Sequence, residues 1–203
     1  MLIGLLGLEW QAAPANVDED QHLLGDPLLA ALNVALVKAR SIDPADEVIV
    51  AADTVVALDR QSLGKPSDAA AAHDMLRQLR GRPHNVLTGV VLRTSGAGEW
   101  AAVISTQVVM RSYSDAEIDS YIQREEPFDK AGAYAIQDAD FAPVERLQGC
   151  YLNVVGLPLC AVASGLATFG VEVPNAITDA RPPCELCRRG APLVAIERGS
   201  IGE

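Results

Sequence analysis

Aromatic side chains are scarce in this chain of 203 residues, and no stretch of it is apolar for long enough to cross a membrane. Phe, Trp and Tyr together make up 4% of the residues, whereas 49% are hydrophobic, so the core must consist mainly of aliphatic and alanine side chains. No run of about 18 apolar residues occurs, so the sequence predicts no transmembrane helix. Residues 1–8 are apolar but contain no basic side chain, and they therefore do not predict a signal peptide.

Basic residues are also few. The chain has 16 Lys and Arg against 27 Asp and Glu, which gives a formal net charge of −11. A general nucleic-acid or anionic-membrane surface needs a basic patch, so we expect neither kind of partner. A small phosphate ligand is still compatible with this charge if local Lys or Arg side chains, or a divalent cation, offset the surrounding negative field.

Cysteine is limited to four residues, which do not form the pattern of a secreted disulfide framework. Together with the missing leader, this predicts a cytoplasmic protein. Cys184 and Cys187 form one C-x-x-C pair in a segment rich in Pro and Gly. A structural zinc site normally takes four ligands, and no second pair or nearby His is present. A zinc site shared between two chains and a redox pair remain as alternatives. We predict that residues 174–203 form a loosely ordered tail behind a domain of residues 1–173.

Residues 48–58, V-I-V-A-A-D-T-V-V-A-L, are the most informative stretch. Their apolar and β-branched character predicts a buried strand. Asp53 interrupts it, and a carboxylate there is costly unless it is paired, hydrogen-bonded or bound to a metal. A strand-end Asp that caps the next turn is one interpretation. The other is a binding site, because Gly64-Lys65-Pro66 follows and could bring an ammonium group near the carboxylate, a pair that suits a metal-bound phosphate.

The remaining pattern alternates helices with strands. Asp26 and Pro27 predict the start of a helix that ends near Arg40, with Lys38 in its last turn, where a Lys usually complements the helix dipole. Predicted helices also cover residues 67–79, 114–124 and 158–169, and predicted strands cover residues 85–92, 100–110 and 144–147. Residues 1–10 are interpreted as the end of a helix followed by a short strand. The elements together predict an α/β protein.

Five motifs resemble those of the Maf family of nucleoside triphosphate pyrophosphatases, also called septum-formation inhibitors. They are A-A-D-T-V-V (51–56), L-G-K-P (63–66), G-R-P-H-N-V-L-T-G-V (81–90), D-K-A-G-A-Y-A-I-Q (129–137) and N-V-V-G-L-P-L (153–159). They occur in the family's order, and the resemblance covers about residues 5–173. The fourth motif resembles the branch that acts on dTTP and UTP, with Ala135 where that branch usually has Gly. The added Cβ restricts the backbone at that position.

The resemblance implies an α/β fold related to the inosine triphosphatases, with an elongated, mixed and twisted sheet flanked by helices, and two lobes with a central cleft. It also implies hydrolysis of a nucleoside triphosphate to the monophosphate and pyrophosphate with a divalent metal cation, Mg or Mn. Dimerisation is an expectation from the family alone. An alternative is a catalytically weak nucleotide-binding or regulatory protein of the same fold.

The candidate site residues follow from these motifs and from what the reaction needs. Asp53 is the candidate general base and metal ligand, since one carboxylate can fill both roles through a bound water. Glu19 matches the acidic position of the family's V-D-E segment and is the candidate second metal ligand, although the surrounding N-V-D-E-D stretch also fits a solvated turn. The candidate substrate-binding residues are Lys38, Thr54, Lys65, Lys130 and Gln137. His84 is either catalytic or a structural histidine that ties a loop to the sheet.

The beginning of the chain departs from the family. The family starts with a strand and a phosphate-binding loop of the type L-A-S-x-S-P-R-R, followed by a helix that ends in a Leu-Leu-Gly-Leu stretch, and residues 1–8 resemble only the latter part of that helix. Two interpretations follow. The start has been set too late in a longer protein, or this is a short form that has lost part of its phosphate site. We favour the first because the other motifs are nearly intact.

Overall fold

The computed structural model describes residues 2–22, 25–96 and 98–174, and the backbone of residues 195–197. The described helices are α1 Pro27–Arg40, α2 Ala69–Leu79, α3 Asp115–Gln123, α4 Tyr151–Val155 and α5 Leu159–Thr168, with 3-10 helices at Leu2–Leu6, Asp20–His22 and Ala131–Ala133. The described strands are β1 Ile49–Leu58, β2 Gln61–Leu63, β3 Pro83–Arg93, β4 Glu99–Met110, β5 Val144–Gln148 and β6 Ala195–Glu197. The α/β class is confirmed.

The strands form one sheet in the order β2-β1-β3-β4-β5, and β6 pairs with β4. The long central pair, β1 and β3, runs in register from Ile49 opposite Arg93 to Ala57 opposite Asn85. Each pairing among the described residues is antiparallel, whereas the resemblance implies a mixed sheet. The short connections of the β1–β2 and β3–β4 hairpins account for two of these pairings, because a tight turn can join only antiparallel strands.

One face of the sheet carries α1. Small side chains of the helix, including Ala31 and Ala35, pack with Val55 and Val91 in a buried cluster. The closest approach is at Gly89, where an added Cβ would lie 2.3 Å from the carbonyl oxygen of Ala31. The alanine-rich sequence of α1 and the glycine in β3 therefore let helix and sheet backbones touch.

Two separate apolar clusters lie on the opposite face. One packs α2 and α3 against the sheet and includes Leu76 and Tyr121. The other packs α5 against the sheet and includes Trp100 and Val162. Helices therefore flank the sheet on both faces, with α1 on one and α2, α3 and α5 on the other.

Most of the local predictions are confirmed. Asp26 caps α1 by accepting a hydrogen bond from the backbone N–H of Leu28 at 2.9 Å. Ser114 and Glu117 form the predicted capping box of α3. The predicted cap of α2 was wrong, because Asp68 accepts the hydrogen bond instead of its neighbour Ser67.

Two further differences are larger. Residues 2–6 form a 3-10 helix where the end of a helix was predicted, and the short strand predicted to follow it is absent from residues 7–10. The short helix α4 was not predicted, because five residues are too few to show helical periodicity. Of the predicted tail, Pro174 and the backbone of β6 are described, whereas Cys184 and Cys187 lie outside the described residues.

Candidate active site

Three predicted site residues meet in one charged cluster. The Lys38 ammonium lies 2.8 Å from a carboxylate oxygen of Asp53 and 2.9 Å from one of Glu19. The side chains of Asp53 and Lys38 are 12% and 20% exposed, and that of Glu19 is 44% exposed. The cluster is thus open to solvent on the Glu19 side and closed on the Asp53 side.

The packing of α1 on the sheet creates this contact. Asp53 lies opposite Gly89 in the β1–β3 register, and directly opposed residues project to the same face of a sheet. Because Gly89 touches the backbone of Ala31, the helix passes close to Asp53. Lys38 follows Ala31 by seven residues, about two helical turns or ~10 Å along the axis. Its long side chain reaches the carboxylate from the last turn of α1.

Burial and charge act in opposite directions on this pair. Burial raises the pKa of the Asp53 carboxyl, and the neighbouring Lys38 ammonium lowers it by less, so the pKa is above its ordinary value. Burial lowers the pKa of Lys38, but the hydrogen bonds and charges of Asp53 and Glu19 together outweigh it and raise the pKa. Asp53 therefore has a higher proton affinity than an exposed aspartate, which suits a general base.

Asp53 and Glu19 are also the residues that fit a divalent cation. Their carboxylate oxygens converge on one point, at present occupied by the Lys38 ammonium. Within the described ranges, no group of three or more His, Cys, Asp or Glu side chains is placed to hold a metal. Mg²⁺ is commonly held by one or two carboxylates together with substrate phosphates and waters, so two carboxylates are sufficient.

Lys65 and Lys130 lie in two segments that are connected by a backbone hydrogen bond. The N–H of Gly132 donates to the carbonyl of Gly64 at 3.0 Å. Lys65 is exposed, and its positive charge lowers the pKa of Asp53 and of Asp129, so it lies within electrostatic reach of both. The Lys130 ammonium lies 2.6 Å from a carboxylate oxygen of Asp129 and donates to the backbone carbonyl of the residue four positions earlier. Lys65 is the more accessible of the two for a phosphate.

Thr54 does not share a face of β1 with Asp53. Its hydroxyl lies 2.9 Å from that of Thr88 and 3.5 Å from the carbonyl oxygen of Gly156. The Thr88 hydroxyl in turn donates to the carbonyl of Asn153 at 3.2 Å. Neighbouring residues of a strand project to opposite faces, and this places the Thr54 hydroxyl in a network under α4 and away from the carboxylate cluster.

Asn153 is the centre of that network, and the sequence did not identify it as a site residue. Its amide donates to the Val86 carbonyl and to the Thr106 hydroxyl, both at 3.0 Å, and the residue is fully buried. It ties α4, and the Gly156 turn that ends it, to the centre of the sheet. Only its place in the N-V-V-G-L-P-L motif could have indicated this role.

Gln137 is exposed, and the residues on both sides of it are anchored to α3. On one side, the backbone N–H of Ala135 donates to the Tyr121 hydroxyl at 3.2 Å. On the other, both carboxylate oxygens of Asp138 accept from the Arg124 guanidinium, at 2.9 and 2.8 Å. The Arg124 guanidinium also lies over the Tyr121 ring. The segment that carries Gln137 is therefore tied on both sides to the region of α3 and its C-terminal cap.

The surroundings of His84 favour the structural interpretation over the catalytic one. Its Nε2 lies 2.7 Å from the hydroxyl of Tyr134, and the residue is 3% exposed. Burial lowers the pKa of His84 to about 4. A buried, neutral imidazole that contacts the segment after Lys130 ties this loop to β3, in agreement with the structural alternative stated above.

Comparison with known proteins agrees with this architecture. The family model described as Maf-like protein matches residues 1–169. A dTTP/UTP pyrophosphatase of Thermomicrobium roseum is 44% identical over 193 residues, which cover 92% of this chain and 87% of that protein. A dTTP/UTP pyrophosphatase of Anaeromyxobacter dehalogenans strain 2CP-C is 46% identical, covering 85% of this chain and 90% of its own length. One of Dictyoglomus turgidum is 39% identical with coverages of 85% and 91%. The chain belongs to the Maf-like protein family.

Proposed function

We propose that this protein is a nucleoside triphosphate pyrophosphatase that hydrolyses dTTP- and UTP-type nucleotides to the monophosphate and pyrophosphate. The observation that carries the proposal is the convergence of Asp53 and Glu19 on Lys38, because it combines two acidic oxygen ligands with a cation in one partly closed site. The names of the three relatives support the same substrate class.

The reaction adds water to the α-phosphorus and breaks the bond to the oxygen that bridges the α- and β-phosphates. Asp53 accepts the proton of the attacking water, a role open to a carboxylate at the closed side of the charged cluster. Lys38 and Lys65 provide positive charge for the phosphate oxygens and for the negative charge that develops on the leaving pyrophosphate. Gln137 is proposed to donate or accept a hydrogen bond at the nucleotide from its anchored segment.

Asp53 and Glu19 are the proposed ligands of a divalent cation. When bound, the cation would neutralise phosphate charge and lower the pKa of a coordinated water. The chain's own contribution is the placement of these two carboxylates, one on strand β1 beside Gly89 of β3 and the other in a more exposed segment.

The alternative is a nucleotide-binding or regulatory protein with weak turnover. The names of the relatives do not favour it. It predicts binding of nucleotides without release of pyrophosphate, so the two functions give different results in one assay.

The test is release of pyrophosphate from a panel of dTTP, UTP, CTP, ATP and GTP, each with Mg²⁺, Mn²⁺ or excess chelator. We expect turnover of dTTP and UTP above that of the purine nucleotides, and loss of turnover with chelator. Binding of dTTP by calorimetry without pyrophosphate release from any nucleotide would instead support the regulatory alternative.

A further inference from the structure

The Lys38 ammonium occupies the position where the two proposed metal ligands converge. It lies 2.8 Å from an oxygen of Asp53 and 2.9 Å from an oxygen of Glu19, which are ordinary hydrogen-bond distances. The same ammonium thus satisfies both carboxylates. Without it, two negative charges would face each other in a site that is closed on the Asp53 side.

A divalent cation and this ammonium exclude each other at that point. Mg²⁺ binds carboxylate oxygens at about 2.0–2.1 Å, and Mn²⁺ takes similar oxygen ligands. A cation held by the same two oxygens, Oδ1 of Asp53 and Oε1 of Glu19, would contact the Lys38 ammonium, and two positive groups in contact repel each other strongly. Lys38 must leave its present position before a cation can bind at the point where these two oxygens converge.

Lys38 is able to move because of where it lies. It is in the last turn of α1, its side chain is a flexible four-carbon stem, and it is 20% exposed. The Asp53 side chain, in contrast, is short and is carried by a strand that pairs in register with β3. A triphosphate next to the site would offer the ammonium a new anionic partner, so the cost of breaking its present contacts falls when nucleotide binds.

We infer that Lys38 is a resident counter-ion that holds the cation position closed until a nucleotide arrives. Lys38 then transfers from the two carboxylates to a phosphate oxygen, and Asp53 and Glu19 would become free to hold a cation that arrives with the triphosphate. The inference rests on the proposed function and adds an order of binding to it. It also explains how two converging carboxylates remain stable in a protein that has not yet bound its substrate.

The test is a titration with Mn²⁺ in the absence of nucleotide. The electron paramagnetic resonance signal of free Mn²⁺ measures how much of the metal the protein has bound. The proteins compared are the wild type, Lys38→Met, Lys38→Gln and the charge-conserving Lys38→Arg. Removing the ammonium should tighten Mn²⁺ binding by at least about tenfold, the effect of ~1.4 kcal/mol. Lys38→Arg should bind Mn²⁺ as weakly as the wild type. A Lys65→Met control, which removes a nearby exposed charge, should change the affinity much less.

A second measurement uses the wild type only. Mn²⁺ is titrated in the presence of the α,β-methylene analogue of dTTP. The Mn²⁺ that the analogue binds in the absence of protein is measured separately and subtracted. We expect the wild type to bind Mn²⁺ at least about tenfold more tightly with the analogue than without it. The inference is overturned if the wild type and both uncharged variants bind Mn²⁺ with equal affinity. It is also overturned if the wild type binds Mn²⁺ equally well with and without the analogue. If the protein releases no pyrophosphate, the proposed function fails, while the titration with Mn²⁺ alone still decides the role of Lys38.

Discussion

Gly89 of β3 and Ala31 of α1 lie in backbone contact, so that a Cβ on Gly89 would be 2.3 Å from the Ala31 carbonyl oxygen. This contact brings α1 down onto the strand pair that holds Asp53, because Asp53 is the register partner of Gly89. The position of the Lys38 ammonium therefore depends on a residue that has no side chain.

Gly89→Ala should both destabilise the protein and weaken the site. We expect a loss of about 1–3 kcal/mol or more in the free energy of unfolding, because the helix must move away from the sheet. Urea denaturation measures this loss. Gly96→Ala is the matched control, since a Cβ there meets nothing within 4 Å. If Gly89→Ala is as stable as Gly96→Ala, the close packing is not required.

Asp53→Asn should remove turnover without unfolding the protein. Loss of a general base and metal ligand is expected to lower kcat by about two to four orders of magnitude. The control is Asp59→Asn, because Asp59 is 71% exposed, pairs with Arg82 and has a positive φ that Asn also adopts readily. Near-normal kcat for Asp53→Asn, with both variants folded by circular dichroism, would exclude the assigned role.

His84 should make the folded state sensitive to mild acid. Its pKa is lowered from 6.5 to about 4 by burial, so the folded protein binds fewer protons than the unfolded chain between these values. Its contribution to stability is fully present above pH 6.5 and is lost as the pH falls towards 4, by up to about 3 kcal/mol. Urea denaturation from pH 7.5 to 4.5 should show this loss in the wild type.

The quantity to compare between the wild type and the variant is the change in the free energy of unfolding with pH, and not its value at a single pH. His84→Asn should reduce this slope, because it removes the buried imidazole whose pKa is lowered in the folded protein. Equal slopes for the wild type and His84→Asn would show that another group is responsible.

Arg124→Gln should weaken substrate binding, seen as a higher KM, more than it slows the chemical step, seen as a lower kcat. It removes the guanidinium that holds both oxygens of Asp138, next to the proposed substrate contact Gln137. Loss of one positioned hydrogen bond to the nucleotide corresponds to an increase in KM of about fivefold to tenfold. Steady-state kinetics with dTTP or UTP measures KM and kcat separately.

Arg77→Gln serves as the comparison for Arg124→Gln, because Arg77 also pairs with an aspartate, Asp115, but lies on α2. It should leave KM unchanged. If both variants raise KM equally, or if Arg124→Gln lowers only kcat, then Arg124 does not act by positioning the segment.

The sequence by itself determined the local structure and the chemical character of the protein. The α/β class, the cap of α1 by Asp26 and the capping box of α3 depend on residues a few positions apart, so they can be read from local patterns. Asp53 could also be recognised from local sequence, because a carboxylate within an apolar stretch is costly to bury unless it has a partner. Where two neighbours compete for a cap, as Ser67 and Asp68 do, the local pattern did not decide between them.

Only the tertiary structure decided which of these groups meet. Lys38 contacts Asp53 because α1 packs on β1 and β3 at Gly89, and His84 contacts Tyr134 across 50 positions of the chain. The alternation of β1 separates Thr54 from Asp53 although they are neighbours in sequence. Such contacts depend on strand register and on the fit of a helix to a sheet, which involve residues far apart in the chain and leave no pattern in any short stretch of sequence.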